Sequence, residues 1–324
     1  MTPAPKRVVV AGGRGAMGSL FADRLEAEGC AVTRVDPLDG DMTDDITTPG
    51  PSTVHALAEA DVVVLAVDED VTLRALPVVH EAVDAGTLVI DTTSVKMDVV
   101  AAHRRHRRGP VLSVNPMFGP GLDPAGRAIA CVTVEDGPAA ADFRDRMTGW
   151  GADVVPMSAQ GHDELTALTQ VLTHASLMAF GVALASLLEN TPDVDVETVW
   201  RAAPPPHRTL LQLVARLVGL RLETYRDIQT SRCGPRARAA LGEALGRVEA
   251  AGSAEATRLL FREVQLALGP VSAPARAACQ AMFERCAHDR HAPAGAVPVP
   301  DERYLEMPQS PSPANREDNE RNRS

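Results

Sequence analysis

The sequence of 324 residues is poor in aromatic side chains, which make up only 3% of it. Val, Leu and Ala must therefore fill its hydrophobic cores. Lysine occurs only as Lys6 and Lys96, so arginine carries nearly all of the positive charge. Acidic residues outnumber basic ones and give a formal net charge of −11, which argues against a non-specific nucleic-acid binder.

Long apolar runs and a secretory signal are also missing from the sequence pattern. No uninterrupted apolar run approaches the roughly 20 residues that a membrane span needs. The segment Met1–Pro5 has no charged region followed by an apolar one, as a signal peptide would. The five cysteines are scattered and odd in number, which favours free thiols over a disulfide framework. We therefore expect a cytoplasmic protein with no membrane contact.

Short β-branched runs alternate with helical patterns through the first half of the chain. The predicted strands are 7–11, 31–35, 61–67, 87–91, 111–114, 128–134 and 152–155. Strands that alternate with helices pair in parallel and form a doubly wound sheet. The sequence therefore predicts an α/β Rossmann domain with a mostly parallel sheet over residues 1–157.

The second half of the chain has helical periodicity instead. Its breaks fall at Pro192, Pro204–Pro206 and Gly269–Pro270, which are typical of turns between helices. We expect an all-α domain at residues 158–291. A tail rich in proline and charge follows at 292–324, and its composition predicts disorder.

A glycine-rich segment follows the first predicted strand and opens a helix. The segment Gly13-Arg14-Gly15-Ala16-Met17-Gly18 fits the pattern G-x-G-x-x-G, which binds a dinucleotide in this context. The glycines permit a tight turn, the approach of a pyrophosphate and close packing of helix on strand, and the helix N-terminus attracts the phosphates.

The second strand ends at Asp36, whose carboxylate can bind a ribose 2′-hydroxyl and repel a 2′-phosphate. NAD is therefore the predicted cofactor, although Arg34 on the same strand face leaves NADP open. The predicted cofactor-binding residues are Gly13, Arg14, Gly15, Ala16, Met17, Gly18, Asp36 and Val67.

Two further patterns have a plain structural interpretation. The basic run 103–108 is typical of a helix C-terminus, where cations favour the dipole and meet water. Cys279, Cys286, His288 and His291 lack the paired spacing of a structural zinc site, so no metal site is expected.

Beyond the cofactor motif, five segments occur in the order found in a known family. They are Asp91–Lys96, Ser113–Pro120, His162–His174, Pro205–Leu211 and Tyr225–Gln229. Together they resemble the prephenate dehydrogenases, oxidoreductases of the tyrosine pathway, over about residues 7–235. That family oxidises a cyclohexadienyl pyruvate at ring C4 with loss of CO2, and hydride passes to the nicotinamide.

The resemblance implies roles for several residues. Arg208 matches the residue that grips a substrate carboxylate, and its neighbour His207 is assigned to the same site. Ser94 matches a serine near the C4 substituent, although it also suits the N-cap of a helix beginning at Val95. His174 and Gln170 are one helical turn apart and are expected to line the substrate site together. The family also implies a homodimer formed through the helical domain.

One position departs from the family pattern. The family has His-Pro where this sequence has Asn115-Pro116, and that histidine accepts the proton of the C4 hydroxyl. Asparagine cannot act as a general base, and losing such a base typically costs 10²–10⁴-fold in rate. A C4 amine needs no base during hydride loss. We therefore expect 4-amino-4-deoxyprephenate as substrate and 4-aminophenylpyruvate as product, as in the subgroup of antibiotic pathways that this segment resembles.

Two alternatives remain open from the sequence. In the first alternative, the chain is a prephenate or arogenate dehydrogenase of tyrosine biosynthesis and Asn115 is a tolerated variant. Alternatively, it is an NAD-binding pseudoenzyme that senses a ligand. Retention of Ser94, His174 and Arg208 favours an enzyme, because a sensor has less need of the reaction geometry.

Overall fold

The structure is a computed structural model that describes residues 6–219 and 222–288. An eight-stranded sheet forms its centre, with the strand order β3-β2-β1-β4-β5-β6-β7-β8. The strands β1 to β8 are Arg7–Ala11, Ala31–Asp36, Met42–Thr43, Val62–Leu65, Leu88–Asp91, Val111–Pro116, Ala128–Glu135 and Asp153–Pro156. All neighbours pair in parallel except β6 and β7, which are antiparallel. The predicted Rossmann fold class is confirmed.

Helices cover the sheet and form the rest of the described chain. Those that connect the strands are α1 (Ala16–Ala27), α2 (Pro51–Glu59), α3 (Glu69–Ala82), α4 (Met97–His106) and α5 (Pro138–Gly149). Those that follow the sheet are α6 (Ala159–Thr166), α7 (Leu172–Glu189), α8 (Val196–Ala202), α9 (Pro205–Val218), α10 (Leu222–Thr230), α11 (Gly234–Ala250), α12 (Ala254–Leu268) and α13 (Ser272–His288). The predicted breaks at prolines 192 and 204–206 and at Gly269–Pro270 fall between these helices.

The core lies on both faces of the sheet. Because successive strand side chains point to opposite faces, Val8 and Val10 pack in one buried cluster and Val9 and Ala11 pack in the other. Three of the scarce aromatic residues are buried in the first cluster, where the Phe21 ring packs against those of Phe143 and Trp150. Aliphatic side chains therefore build most of the core, as the composition predicts.

A π-helical turn, Ala167–Val171, joins α6 to α7. The resulting continuous helix, Ala159–Glu189, has a mean hydropathy of 1.9 over its most apolar window, and only 11% of that window is buried. By length and composition alone this helix could cross a membrane. Thr, Ser and His interrupt the apolar run of this helix, so it contains no uninterrupted run of about 20 residues, although its mean hydropathy stays high.

The chain divides into two compact units that differ from the predicted domains. Within the described residues, one unit comprises 6–196 and 222–254, and the other 197–219 and 255–288. The first unit extends past the predicted boundary at residue 157 because α6 contacts α4 and β7 of the sheet region, while α10 and α11 contact the π-helical turn. The predicted tail at 292–324 lies outside the described residues.

Candidate active site

The glycine-rich turn after β1 brings the backbone close to the start of α1. Gly12, one residue before the predicted motif, adopts φ +72°, which side chains other than glycine rarely tolerate. A Cβ on Gly18 would lie 2.1 Å from the Gly12 carbonyl oxygen, so only glycine allows this approach of helix to strand. The turn lies beside β1 and β4, where the strand order reverses and dinucleotides bind in such sheets.

Asp36 ends β2 next to this turn. Its carboxylate accepts hydrogen bonds from the backbone N–H of Arg14 at 3.4 Å and of Leu38 at 3.1 Å. The Arg34 side chain packs beside Gly13, and its guanidinium forms ion pairs with Asp23 and Glu26. The guanidinium that left NADP open in the sequence is therefore already neutralised by two carboxylates.

Asn115 lies near the C-terminal end of β6 and is 4% exposed. Its Nδ2 donates a hydrogen bond of 3.0 Å to Nε2 of His162, on α6. The Nδ1 of His162 lies 2.8 Å from Oδ1 of Asp163. Burial lowers the pKa of His162, more than Asp163 raises it. A neutral imidazole is therefore the form that this contact requires.

Asp163 also holds the start of α4. Its two carboxylate oxygens accept the backbone N–H groups of Lys96 at 2.8 Å and Met97 at 3.0 Å. Asp163 thus supplies the capping bonds from outside the helix. The alternative that Ser94 caps a helix beginning at Val95 is wrong, because α4 begins two residues later and Lys96 is its N-cap residue.

A second buried chain of polar groups lies behind the first. The Lys96 ammonium donates to Asp91 at 2.9 Å, and His103 Nε2 contacts the other Asp91 oxygen at 3.1 Å. His80 Nε2 lies 2.9 Å from His103 Nδ1. Burial alone would raise the pKa of Asp91, but Lys96 and His103 outweigh it and hold the pKa below its usual range. His103 is therefore buried, and the expectation of a solvated cation there is wrong.

Several buried polar atoms on the π-helical turn, α7 and α10 lack a hydrogen-bond partner among the described residues. The His174 ring stacks on Tyr225 with centroids 6.0 Å apart. The buried atoms Nδ1 of His174, Oε1 of Gln170 and Oε1 of Gln229 have no hydrogen-bond partner among the described residues. Burial lowers the pKa of His174. The π-helical turn contains Gln170, and such turns are frequent at functional sites.

Arg208 and His207 belong to the other compact unit, at the start of α9. The Arg208 guanidinium lies 4.7 Å from the centroid of the Trp200 ring, and its Nη2 donates to the Trp200 carbonyl oxygen at 2.9 Å. These contacts with Trp200 use one of the guanidinium N–H donors of Arg208, so its other donors can bind another acceptor.

Sequence reasoning missed His162 and Asp163 as site residues. Both belong to the family segment His162–His174, but the sequence assigned no role to either residue. Its contact with Asn115 joins residues 47 positions apart, which no local pattern predicts. The signal that could have found them was the adjacent His-Asp pair itself, on a helix that buries both side chains.

The sheet order, the glycine turn at its switch point and the acidic end of β2 define a dinucleotide-binding protein of the dehydrogenase type. The comparisons with known proteins specify the family. The profile of the prephenate dehydrogenase nucleotide-binding domain matches residues 41–129. A 4-amino-4-deoxyprephenate dehydrogenase of Streptomyces pristinaespiralis is 42% identical over 289 residues, covering 86% of this chain and 96% of that protein.

The chain belongs to the prephenate dehydrogenase family. The T-protein of Enterobacter agglomerans is 31% identical over 70% of this chain, and the alignment covers 57% of its own length. The crystal structure of the Aquifex aeolicus prephenate dehydrogenase with hydroxyphenyl propionate and NAD+ superposes with a TM-score of 0.58. It is 17% identical, and the match covers 89% of this chain and 100% of that one. It supports the fold.

Proposed function

We propose that this enzyme oxidises and decarboxylates 4-amino-4-deoxyprephenate to 4-aminophenylpyruvate with NAD as the hydride acceptor. The observation that carries the proposal is Asn115. It occupies the family position of the proton acceptor and is buried and bonded to His162, so it is an integral part of the site. The relative that is 42% identical bears the name of this activity.

The dinucleotide site fits NAD. The glycine turn after β1 leaves room for a pyrophosphate, and Asp36 offers its carboxylate to a ribose hydroxyl. The ion pairs of Arg34 with Asp23 and Glu26 offset the charge of the cation that would favour a 2′-phosphate. We assign pyrophosphate binding to residues 13–18 and place Val67, just after β4, beside them.

The chemistry explains why asparagine serves the amine. When bound, NAD takes the hydride from ring C4. Once the substrate ammonium has lost its proton to water, the amine lone pair moves toward C4 as the hydride leaves and forms an iminium. Loss of CO2 from C1 then returns that electron pair to the nitrogen in an aromatic amine. A hydroxyl at C4 would instead have to lose its proton to a base, which Asn115 cannot be.

A histidine at position 115 would also repel a cationic substrate. Imidazolium and ammonium groups about 4 Å apart at an effective dielectric constant near 20 repel by roughly 4 kcal/mol. Asparagine avoids this repulsion and offers an acceptor for the amine N–H. Asn115 therefore selects for the amine in two ways.

We assign the substrate carboxylates and ring to the remaining predicted residues. Arg208 has the planar fork that suits a carboxylate. The unpartnered buried atoms, Nδ1 of His174 and Oε1 of Gln170, are available to form hydrogen bonds with the substrate. We assign Ser94, which follows β5, to the C4 substituent. We assign His207 to the same substrate carboxylate as Arg208.

The substitution Asn115→His tests the proposal. Restored imidazole should raise kcat/KM for prephenate by some part of the 10²–10⁴-fold that a general base supplies. It should lower kcat/KM for the amine, and prephenate turnover should acquire a pH dependence near the ordinary histidine pKa of about 6.5. Steady-state NADH formation with both substrates measures each effect.

The control is Arg208→Ala, which should weaken both substrates alike because both present the same carboxylates. A variant Asn115→His that gains nothing on prephenate and loses nothing on the amine would contradict the role given to Asn115.

We further propose a cytoplasmic homodimer formed through the helical region. Large apolar side chains are exposed on its helices, among them Val182, Leu187, Val248, Phe261 and Leu266. Such faces need a partner, and two-fold dimers are the commonest assembly. Light scattering at micromolar concentration should give twice the chain mass, and a persistent monomer would contradict the assembly.

A further inference from the structure

The contacts around Asn115 determine which end of its side-chain amide is free. An asparagine amide has a donor end, Nδ2, and an acceptor end, Oδ1, and a rotation of 180° exchanges them. The two ends make opposite demands on a substrate. The hydrogen-bond partners behind Asn115 therefore decide what the site offers at the C4 substituent.

The chain of partners starts at Asp163. Both of its carboxylate oxygens accept backbone N–H groups, from Lys96 at 2.8 Å and Met97 at 3.0 Å. An oxygen engaged in this way accepts hydrogen bonds and has no proton to give. The contact between Asp163 and His162 at 2.8 Å therefore requires the proton on His162 Nδ1.

The same proton placement makes His162 Nε2 an acceptor. The imidazole is fully buried, and the charges that face it are the carboxylates of Asp163 and Asp91 and the ammonium of Lys96. Burial disfavours a second proton on the ring. A neutral ring with its proton on Nδ1 has only a lone pair at Nε2.

Asn115 must then present its donor to His162. The distance between the two side chains is 3.0 Å. The reverse orientation would place two acceptors, Oδ1 and Nε2, at that distance. We propose that His162 and Asp163 lock the Asn115 amide with Nδ2 inward, so that the C4 amine of the substrate meets Oδ1.

The locked orientation matters for hydride loss, and this step rests on the proposed function. An amine N–H that donates to Oδ1 keeps its lone pair free to move toward C4. An inverted amide would donate from Nδ2 into that single lone pair and hold it back from the ring. A hydroxyl oxygen has two lone pairs and would suffer less. His162 is therefore a positioning residue that favours the amine.

The first experiment reads the histidine directly in the wild-type protein. Nitrogen-15 NMR of labelled imidazoles at neutral pH should show His162 neutral, with a proton on Nδ1 and none on Nε2. The spectrum of His162→Gln assigns the resonance by its disappearance. A proton on Nε2 would overturn the proposed orientation, whatever the substrate of the enzyme.

The second experiment reads selectivity. In His162→Leu the amide is free to turn, and the ratio of kcat/KM for the amine to that for prephenate should fall about tenfold, the value of one hydrogen bond of about 1.4 kcal/mol. His162→Gln restores an acceptor and should recover part of the ratio. Thr166→Val, a buried change on the same helix, is the matched control and should leave the ratio unchanged.

The outcomes separate the two proposals. An unchanged ratio in His162→Leu, or the same loss in Thr166→Val, would overturn the positioning role. If the wild type prefers prephenate while His162 carries its proton on Nδ1, the proposed function fails and the amide orientation stands.

Discussion

Two buried histidine–aspartate networks lie side by side in the Rossmann part of the molecule. The site network consists of Asn115, His162 and Asp163. The inner network consists of His80, His103, Asp91 and Lys96. Lys96 joins them, because its backbone N–H binds Asp163 while its ammonium binds Asp91.

The networks share their chemistry and differ in where they end. The inner network ends at His80 Nδ1, a buried atom with no partner in the described part of the chain. The site network ends at the Asn115 amide, whose second polar atom we assign to the substrate. We therefore assign the His103–Asp91 contact to packing and the His162–Asp163 contact to substrate selection. The residue at which each network ends, His80 or Asn115, makes the difference.

Breaking the junction should have the largest effect on stability. Lys96→Met leaves the Asp91 carboxylate buried without its ammonium partner. Removing one partner of a buried ion pair costs about 3–5 kcal/mol of unfolding free energy, which chemical denaturation measures. The matched control is Arg74→Met, whose ion pair with Asp70 is exposed and should cost under about 1 kcal/mol. Equal costs in the two variants would contradict a structural role for the inner network.

The inner network should also set the acid sensitivity of the fold. Burial, together with the neighbouring His103, lowers the pKa of His80 to about 3. Between its unfolded pKa of about 6.5 and pH 3, the unfolded chain takes up a proton that the folded protein refuses. The unfolding free energy should therefore fall as pH falls through this window, by about 1.4 kcal/mol per pH unit from this group.

His80→Gln tests that contribution because an amide can still donate to His103 but does not titrate in this range. The variant should lose less stability than the wild type between pH 6.5 and 4, as followed by thermal melting. His55→Gln is the control, since His55 is 75% exposed and should leave the slope unchanged. Parallel melting curves for wild type and His80→Gln would rule out His80 as the source.

A smaller effect on stability is expected at the start of α6, the helix that carries His162 and Asp163. Ser158 is the N-cap of α6, and its Oγ accepts the N–H of Gly161 at 3.0 Å. Loss of such a cap in Ser158→Ala should cost about 1 kcal/mol in denaturant unfolding. Ser52→Ala, at an exposed position of α2, should cost nearly nothing. A cost below that of Ser52→Ala would mean that the cap does not hold the helix that carries His162.

Local patterns predicted most of the fold. The valine-rich strands β1 and β4 and the glycine turn were read correctly, because burial on both faces and the G-x-G-x-x-G spacing are local properties of the chain. The strand β3, Met42–Thr43, was missed because two residues carry no periodicity. The π-helical turn was missed because its extra residue per turn hardly changes the apolar spacing.

The candidate site was predicted in part, and the limits have a physical cause. Asn115 was found because it stands in a recognisable motif. Its partner His162 was not, because their contact depends on how α6 packs against the sheet. Lys96, one of only two lysines, was read as part of a motif, and its complete burial against Asp91 depends on tertiary structure.

With Asn115 in place of the family histidine, this enzyme is suited to a substrate with a C4 amine. The most direct test of this selectivity is a side-by-side measurement of wild-type kcat/KM for 4-amino-4-deoxyprephenate and prephenate with NAD. The amine should be the better substrate by about 10²-fold or more, the rate factor of the base that Asn115 cannot supply. Faster turnover of prephenate would contradict it and make Asn115 a tolerated variant in a tyrosine-pathway enzyme.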